Sequence, residues 1–269
     1  MSYIAAFHGR SPTITMRDFS NAQYILLLVA FNASSLLSIC GSALIIMLAR
    51  RDLSKVYHRT LVMLSAADIL MSASNTVHFL MLPSDKTTNP VAIGNDASCS
   101  VVGFMLNVLW TMVAIYNAFL SINFVLQIRY QYTDEQLSKR IEPIIHTMAF
   151  VLSLPLPLYG LTREAFNPES ASGLCLMVSY PPDCHLHEDV ECIRGDSNLL
   201  AILQALVVNV VSLIGFGCTW LLYRTVKDCI DKTMNRSLSH ATNLRHSQHL
   251  RNVSWQCTRY ALAYFNTWI

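Results

Sequence analysis

Asp68 is the one charged residue within five long apolar stretches of this 269-residue chain. An ionisable group placed in lipid costs several kcal/mol and must find partners. Ser65, Asp68, Ser72 and Asn75 recur at three- and four-residue steps and so share one helix face. Two roles fit that stripe. One is a hydrated switch whose protonation or ion binding differs between two states; the other is an interhelical hydrogen bond that fixes packing. In the third stretch Trp110, Asn117 and Ser121 form a stripe with Asn107, Tyr116 and Asn123 nearby, and Gln204, Asn209 and Ser212 punctuate the fifth. Asn107, Trp110 and Gln204 could line a ligand cavity; the alternative is polar contact between helices.

Enzyme chemistry lacks the residues it needs. The chain holds no G-x-S-x-G elbow, no phosphate-cradling glycine loop and no H-E-x-x-H pair. His240, His246 and His249 are spaced unlike zinc ligands and have no cysteine partners, while His185 and His187 sit among acids. We therefore expect no enzyme, no metal and no cofactor.

The elements that position these groups follow from composition. Apolar residues make up 53% of the chain and charged residues 13%, against roughly 25% charged in soluble domains. An aromatic content of 10%, with 9 Gly and 9 Pro in no period, excludes disorder, collagen and coiled coil. A formal charge of +2 leaves little for phosphates and argues against nucleic acid as a partner. The expected fold class is an all-α membrane protein. Crossing the hydrocarbon takes about 20 apolar residues, and residues 24–49, 61–82, 100–128, 144–161 and 199–223 qualify. Residues 255–269 begin a sixth span that reaches only about 22 Å, so the chain reads as truncated within it. Pro155 and Pro157 should kink the fourth span.

Charge sets the orientation. Fourteen of the 19 Lys and Arg fall on one side: Arg50, Arg51, Lys55 and Arg59; Arg129, Lys139 and Arg140; and the run from Arg224 and Lys227 to Arg259. Arg10, Arg17, Lys86, Arg163 and Arg194 fall on the other, with most of the acids. Basic loops stay in the cytosol, which puts residues 1–23 outside a plasma membrane that residues 24–269 traverse. No cleavable signal peptide is visible, so the first span serves as its own insertion signal. Thr133-Asp-Glu-Gln136 fits a capping box and predicts a short helix after span three. Residues 224–254, with Ser237, Ser239 and Thr242, suit partner binding and phosphorylation, or simple attraction to anionic lipid.

Cysteines test this topology. Cys99, Cys175, Cys184 and Cys192 all fall outside, where an even number suggests two disulfides, the alternative being four free thiols. Cys40 and Cys218 lie in spans, and Cys229 and Cys257 on the cytosolic side. Residues 162–198 make a long acidic outer loop that is either a lid over the bundle or a solvated excursion. The N-x-S triplets at Asn32, Asn235 and Asn252 lie in a span or in the cytosol, so none should be glycosylated.

This arrangement resembles the seven-helix G-protein-coupled receptor superfamily. Leu64-Ser65-Ala66-Ala67-Asp68-Ile69-Leu70 is similar to its span-two signature, and Cys40-Gly41-Ser42-Ala43-Leu44 to its span-one motif, with Ser42 where rhodopsin-like receptors have Asn. Gln127-Ile128-Arg129-Tyr130 replaces the acid-Arg-Tyr triplet, which points toward the cyclic-AMP-receptor-like and secretin-like groups. The resemblance covers about residues 20–269. It implies a seven-helix bundle, of which five spans and the start of a sixth are present. It also implies an extracellular ligand, a heterotrimeric G protein facing Arg129, Lys139, Arg140, Arg224 and Lys227, and receptor dimerisation. It pairs Cys99 with Cys175 and Cys184 with Cys192, pairing of Cys99 with either of the other two staying open. A small transporter or channel, or a non-signalling membrane protein that associates with full-length receptors, are the rival classes.

Overall fold

The computed structural model describes residues 21–84, 91–169, 174–181, 184, 191–195 and 199–237. The first twenty residues, the sixth-span start at 255–269, His185, His187, His240, His246 and His249, and Ser239, Thr242 and Cys257 lie outside the described residues.

Apolar runs without a charge become helices because a helix satisfies its own backbone, the condition for crossing lipid. Five are long and apolar enough to do so. They are α1 (Asn21–Ala49), α2 (Val56–His78), α3 (Asp96–Tyr130), a composite fourth helix running from Asp134 to Thr162, and α7 (Leu199–Ser237). The composite is built from α4 (Asp134–Gln136), a π-helical turn (Leu137–Ile141), α5 (Glu142–Ser153) and α6 (Pro155–Thr162). Large apolar side chains face outward on these helices, as with Leu37 at 75% and Leu213 at 68% exposure. Water would penalise that surface and lipid does not, so the chain reads as a multi-pass membrane protein. In α3 more than half of the spanning stretch is buried, far above the other four, which makes it the axis of the bundle. It packs against α2, α5 and α7, while α1 packs on α2.

Helix ends depart from the apolar stretches, each for a local reason. Span two was expected over 61–82 and runs from Val56 to His78. Its first turns carry Arg59, which hydropathy excluded, and it ends early because Pro83 disfavours helical geometry in the preceding residue. Tight turns follow, Leu80 N–H donating to Val77 O and Met81 N–H to His78 O, both at 3.0 Å. At the start of α3, Asn95 accepts from Ser98 N–H (2.9 Å) while Ser98 Oγ accepts from Asn95 N–H (2.8 Å), a reciprocal cap. The expected capping box at Thr133 forms with Gln136. The short helix it starts is not separate, however; it is the first turn of the fourth helix, which therefore begins ten residues before the expected 144. The proline pair acts as expected: Leu154 is a bend between α5 and α6, where Pro155 and Pro157 withhold their N–H donors. Likewise α7 continues past Tyr223 to Ser237, for 39 residues or about 58 Å, well beyond a hydrocarbon core.

One element was not expected in an all-α chain. Phe166–Pro168 (β1) and Cys175–Met177 (β2) form an antiparallel hairpin, with Phe166 opposite Met177 and Pro168 opposite Cys175. All six strand residues are buried. The hairpin lies on α3 at Gly103, where a Cβ would sit 2.7 Å from Phe166 Cδ1 and 2.8 Å from the Cys175 carbonyl oxygen. Only glycine admits that approach.

Candidate functional site

The end of the α3–α7 seam nearer the hairpin gathers two of the three expected cavity residues. Gln204 on α7 is 5% exposed and its Nε2 donates to Thr111 Oγ1 and, at 3.4 Å, to Asn107 O on α3. Thr111 Oγ1 donates its own proton to Asn107 O (3.0 Å), leaving a lone pair for Gln204. The Asn107 amide donates one turn back to Gly103 O (2.8 Å), the residue on which the hairpin rests. Gln204 Oε1 is buried and accepts no hydrogen bond, a vacancy that a donor group entering the seam would fill. Trp110, one position before Thr111 on α3, is 38% exposed.

Above this cluster sits the hairpin. Phe166 and Met177 pack with Ala165 and Leu200, against Phe104, Leu156 and Ala201. Cys175 is bonded to Cys99 at the top of α3, and Cys184 to Cys192 farther along the loop. This is the pairing the resemblance implied. Arg194 adds a polar tether, with Nη1 2.6 Å from Asp96 Oδ2 and its backbone bridged to Tyr180. The described part of the loop after the fourth helix is thus tied to α3 by a disulfide and an ion pair.

Asp68 finds its partners on α1. Ser38 Oγ (2.7 Å) and Ser42 Oγ (2.6 Å) both donate to Asp68 Oδ2. Ser65 and Ser72 are buried on α2 and Asn75 is half-buried, but among the described residues none of the three hydrogen-bonds Asp68. The spacing of Ser38 and Ser42, four residues apart on α1, was the signal for this pair, and only Ser42 drew notice.

At the end of the bundle opposite the disulfides the structure forms a clasp that the sequence did not suggest. Arg59 Nε and Nη2 donate to Glu142 Oε1 (2.7 Å) and Oε2 (2.6 Å), a bidentate fork. Nη2 also donates to Ser138 Oγ (2.9 Å), and Nη1 to Leu53 O (2.6 Å) and Ser54 O (3.1 Å). One guanidinium therefore joins α2, the α1–α2 turn and the fourth helix. In that turn Ser54 donates to Asp52 and holds its carboxyl below the usual range. Glu142 Oε1 lies 3.8 Å from His146 Nε2, and the hydroxyl of fully buried Tyr116 on α3 is 3.0 Å from His146 Nδ1. Polar contact thus runs from the rim at this end to the axis of the bundle.

The expected cytosolic cations separate into two places. Lys139 and Arg140 are exposed on the π-helical turn, Lys139 paired with Glu135 at 2.7 Å. Arg129 at the end of α3 and Arg224 and Lys227 on α7 are exposed, near the level where Val125, Leu222 and Val226 pack with Ile128. Cys40 and Cys218 carry free thiols within the spans, as expected.

No protein-family model matches this chain, and no curated protein matches it. The functional reading rests on topology and side-chain geometry.

Proposed function

We propose that this chain is a G-protein-coupled-receptor-like signalling protein of the plasma membrane, its N-terminus outside and its described spans the first five of a seven-helix bundle. One observation carries this reading: the third spanning helix is the buried axis, and a disulfide ties its outer end to a hairpin in the loop after the fourth. In this reading an extracellular ligand enters beneath the hairpin and satisfies Gln204 Oε1 beside Asn107. A ligand shifts a helix arrangement only by the difference in its affinity for two states, about 1.4 kcal/mol for each tenfold. The Asp68–Ser38–Ser42 contact and the Arg59–Glu142 clasp are the bonds such a shift would trade. A heterotrimeric G protein reads the result at the cytosolic cations, and receptor copies associate through the lipid-facing helices.

The test is nucleotide exchange on purified heterotrimeric G proteins. Nanodiscs carrying this 269-residue chain are compared with nanodiscs carrying a form extended by two further apolar helices and with empty discs. Exchange above the empty discs by the extended form supports the reading. Exchange by neither form overturns it, and ion flux through the same protein in vesicles assigns it to a transporter or channel instead.

A further inference from the structure

Gln204 on α7 reaches across to α3 with an amide whose orientation its neighbours fix. Asn107 O can only accept, and Thr111 Oγ1 has given its proton to that same oxygen, so both require the NH2 end of Gln204. The carbonyl end, Oε1, is then the one left over. It is buried and has no donor among the described residues, on a side chain 5% exposed. A buried acceptor without a donor is costly and selects for one. Beside it the half-buried Asn107 amide commits one N–H to Gly103 O, and among the described residues nothing accepts the other.

The surroundings carry no charge. No Asp, Glu, Lys or Arg occurs on α3 from Ala97 to Ile128, on α7 from Leu199 to Tyr223, or on the fourth helix from Pro143 to Thr162. Asp96, nearer the hairpin, is paired with Arg194. Asp68 lies at a similar depth, since Ala67 packs with Leu109 and Val113, but it is held from α1 by Ser38 and Ser42. One turn from Gln204, Leu200 packs with Phe166 and Met177 against Phe104, so the lining toward the hairpin is apolar.

We propose that Gln204 and Asn107 bind the hydroxyl of an uncharged lipophilic alcohol. A hydroxyl donates to Gln204 Oε1 and accepts the second Asn107 N–H, whereas an ether has no proton for Gln204. An ammonium or a carboxylate at this place loses its hydration and meets no opposite charge on the helices that line the seam. The inference rests on the receptor reading in taking the α3–α7 seam as the ligand site, and it adds the class of ligand.

Photolabelling of the full chain in neutral detergent tests it. The probe is azioctanol, a neutral alcohol with a photoactivatable diazirine near its hydroxyl, compared with its methyl ether and with the corresponding ammonium. Mass spectrometry maps the label, and each probe's yield is normalised to that on lipid-facing α1. Peptides holding Asn107 and Gln204 should take up about fivefold more alcohol than ether, the worth of one hydrogen bond. Q204L should bring that ratio to about one, while N209L, at an exposed position of α7, leaves it unchanged. If Q204L does not fold, the wild-type ratio decides alone. Equal labelling by alcohol and ether overturns the proposal, as does an unchanged ratio in folded Q204L or stronger labelling by the ammonium. The readout needs no G protein. A chain that labels selectively yet drives no nucleotide exchange upholds this inference while the receptor reading falls, and exchange without selective labelling does the reverse.

Discussion

Replacing Glu142 removes the acceptor of two guanidinium bonds and leaves Arg59 with Ser138 and two backbone carbonyls. The cost lies between two limits. Exposed ion pairs contribute about 0–1 kcal/mol, whereas removing one partner of a buried pair costs about 3–5 kcal/mol. Side-chain exposures of 29% for Arg59 and 13% for Glu142 fall nearer the buried limit, and the fork geometry is bidentate. A double-mutant cycle of R59A, E142A and the double variant should therefore give a coupling of about 2 kcal/mol. The measurement is reversible unfolding in mixed micelles followed by circular dichroism at 222 nm or an equivalent helix signal. R59K should keep about half of the coupling, because an ammonium cannot reproduce the fork. The coupling should persist at high salt. By contrast, the Lys139–Glu135 pair, 74% and 75% exposed, should couple by about 0.4 kcal/mol and lose that to screening. A coupling below about 0.5 kcal/mol for Arg59–Glu142 would refute the claim that the clasp joins the two helices.

The two disulfides should differ in worth because they close chains of different length. With its cysteines 76 positions apart, loss of Cys99–Cys175 should cost about 4.5 kcal/mol, and loss of Cys184–Cys192, eight apart, about 2.5 kcal/mol; equal losses in thermal unfolding of C175S and C192S would contradict this. Gly103→Ala forces the hairpin off α3 and should destabilise by about 1–3 kcal/mol. F166L should recover only part of that, since the Cys175 carbonyl still blocks the new methyl. Asp68→Asn keeps an acceptor for Ser38 and Ser42 and should cost about 0.5 kcal/mol, while S38A with S42A, which strips the carboxylate of both donors, should cost more, about 1–2 kcal/mol. The reverse order in the same unfolding assay would show that Asp68 does not need these hydroxyls.

What the sequence displays depends on how far each signal reaches. Five spans are legible because length and lack of charge act within a single segment, and the Thr133 cap because its partner is three residues away. The ends were less legible. Arg59, Asp134 and the residues after Tyr223 are helical although charged, since caps and tertiary partners decide helix ends and hydropathy does not. Asp68 displayed its own helix face through Ser65, Ser72 and Asn75, but its hydrogen bonds cross to α1, a choice made by packing between segments. The same reason hid Arg59–Glu142, 83 residues apart, whose two charges looked like ordinary loop residues. Asn107 and Gln204 stand out in the sequence because uncharged polar groups are conspicuous in an apolar run, whereas spacing alone does not say which flank of Trp110 a neighbouring helix covers. Three-residue strands such as Phe166-Asn167-Pro168 carry too short a pattern to be read at all.

The π-helical turn at Leu137–Ile141 has a consequence for how this molecule could be re-engineered. There Glu142 N–H reaches back to Leu137 O, so the turn holds one residue more than regular winding needs. That surplus residue sets the azimuth of everything upstream relative to the membrane-crossing part. Excising a single residue between 137 and 141 would rewind the turn and swing Ser138 by about 100° around the axis, away from Arg59, while the transbilayer segment kept its seat. A deletion of one residue is thus a dial for that end of the bundle alone.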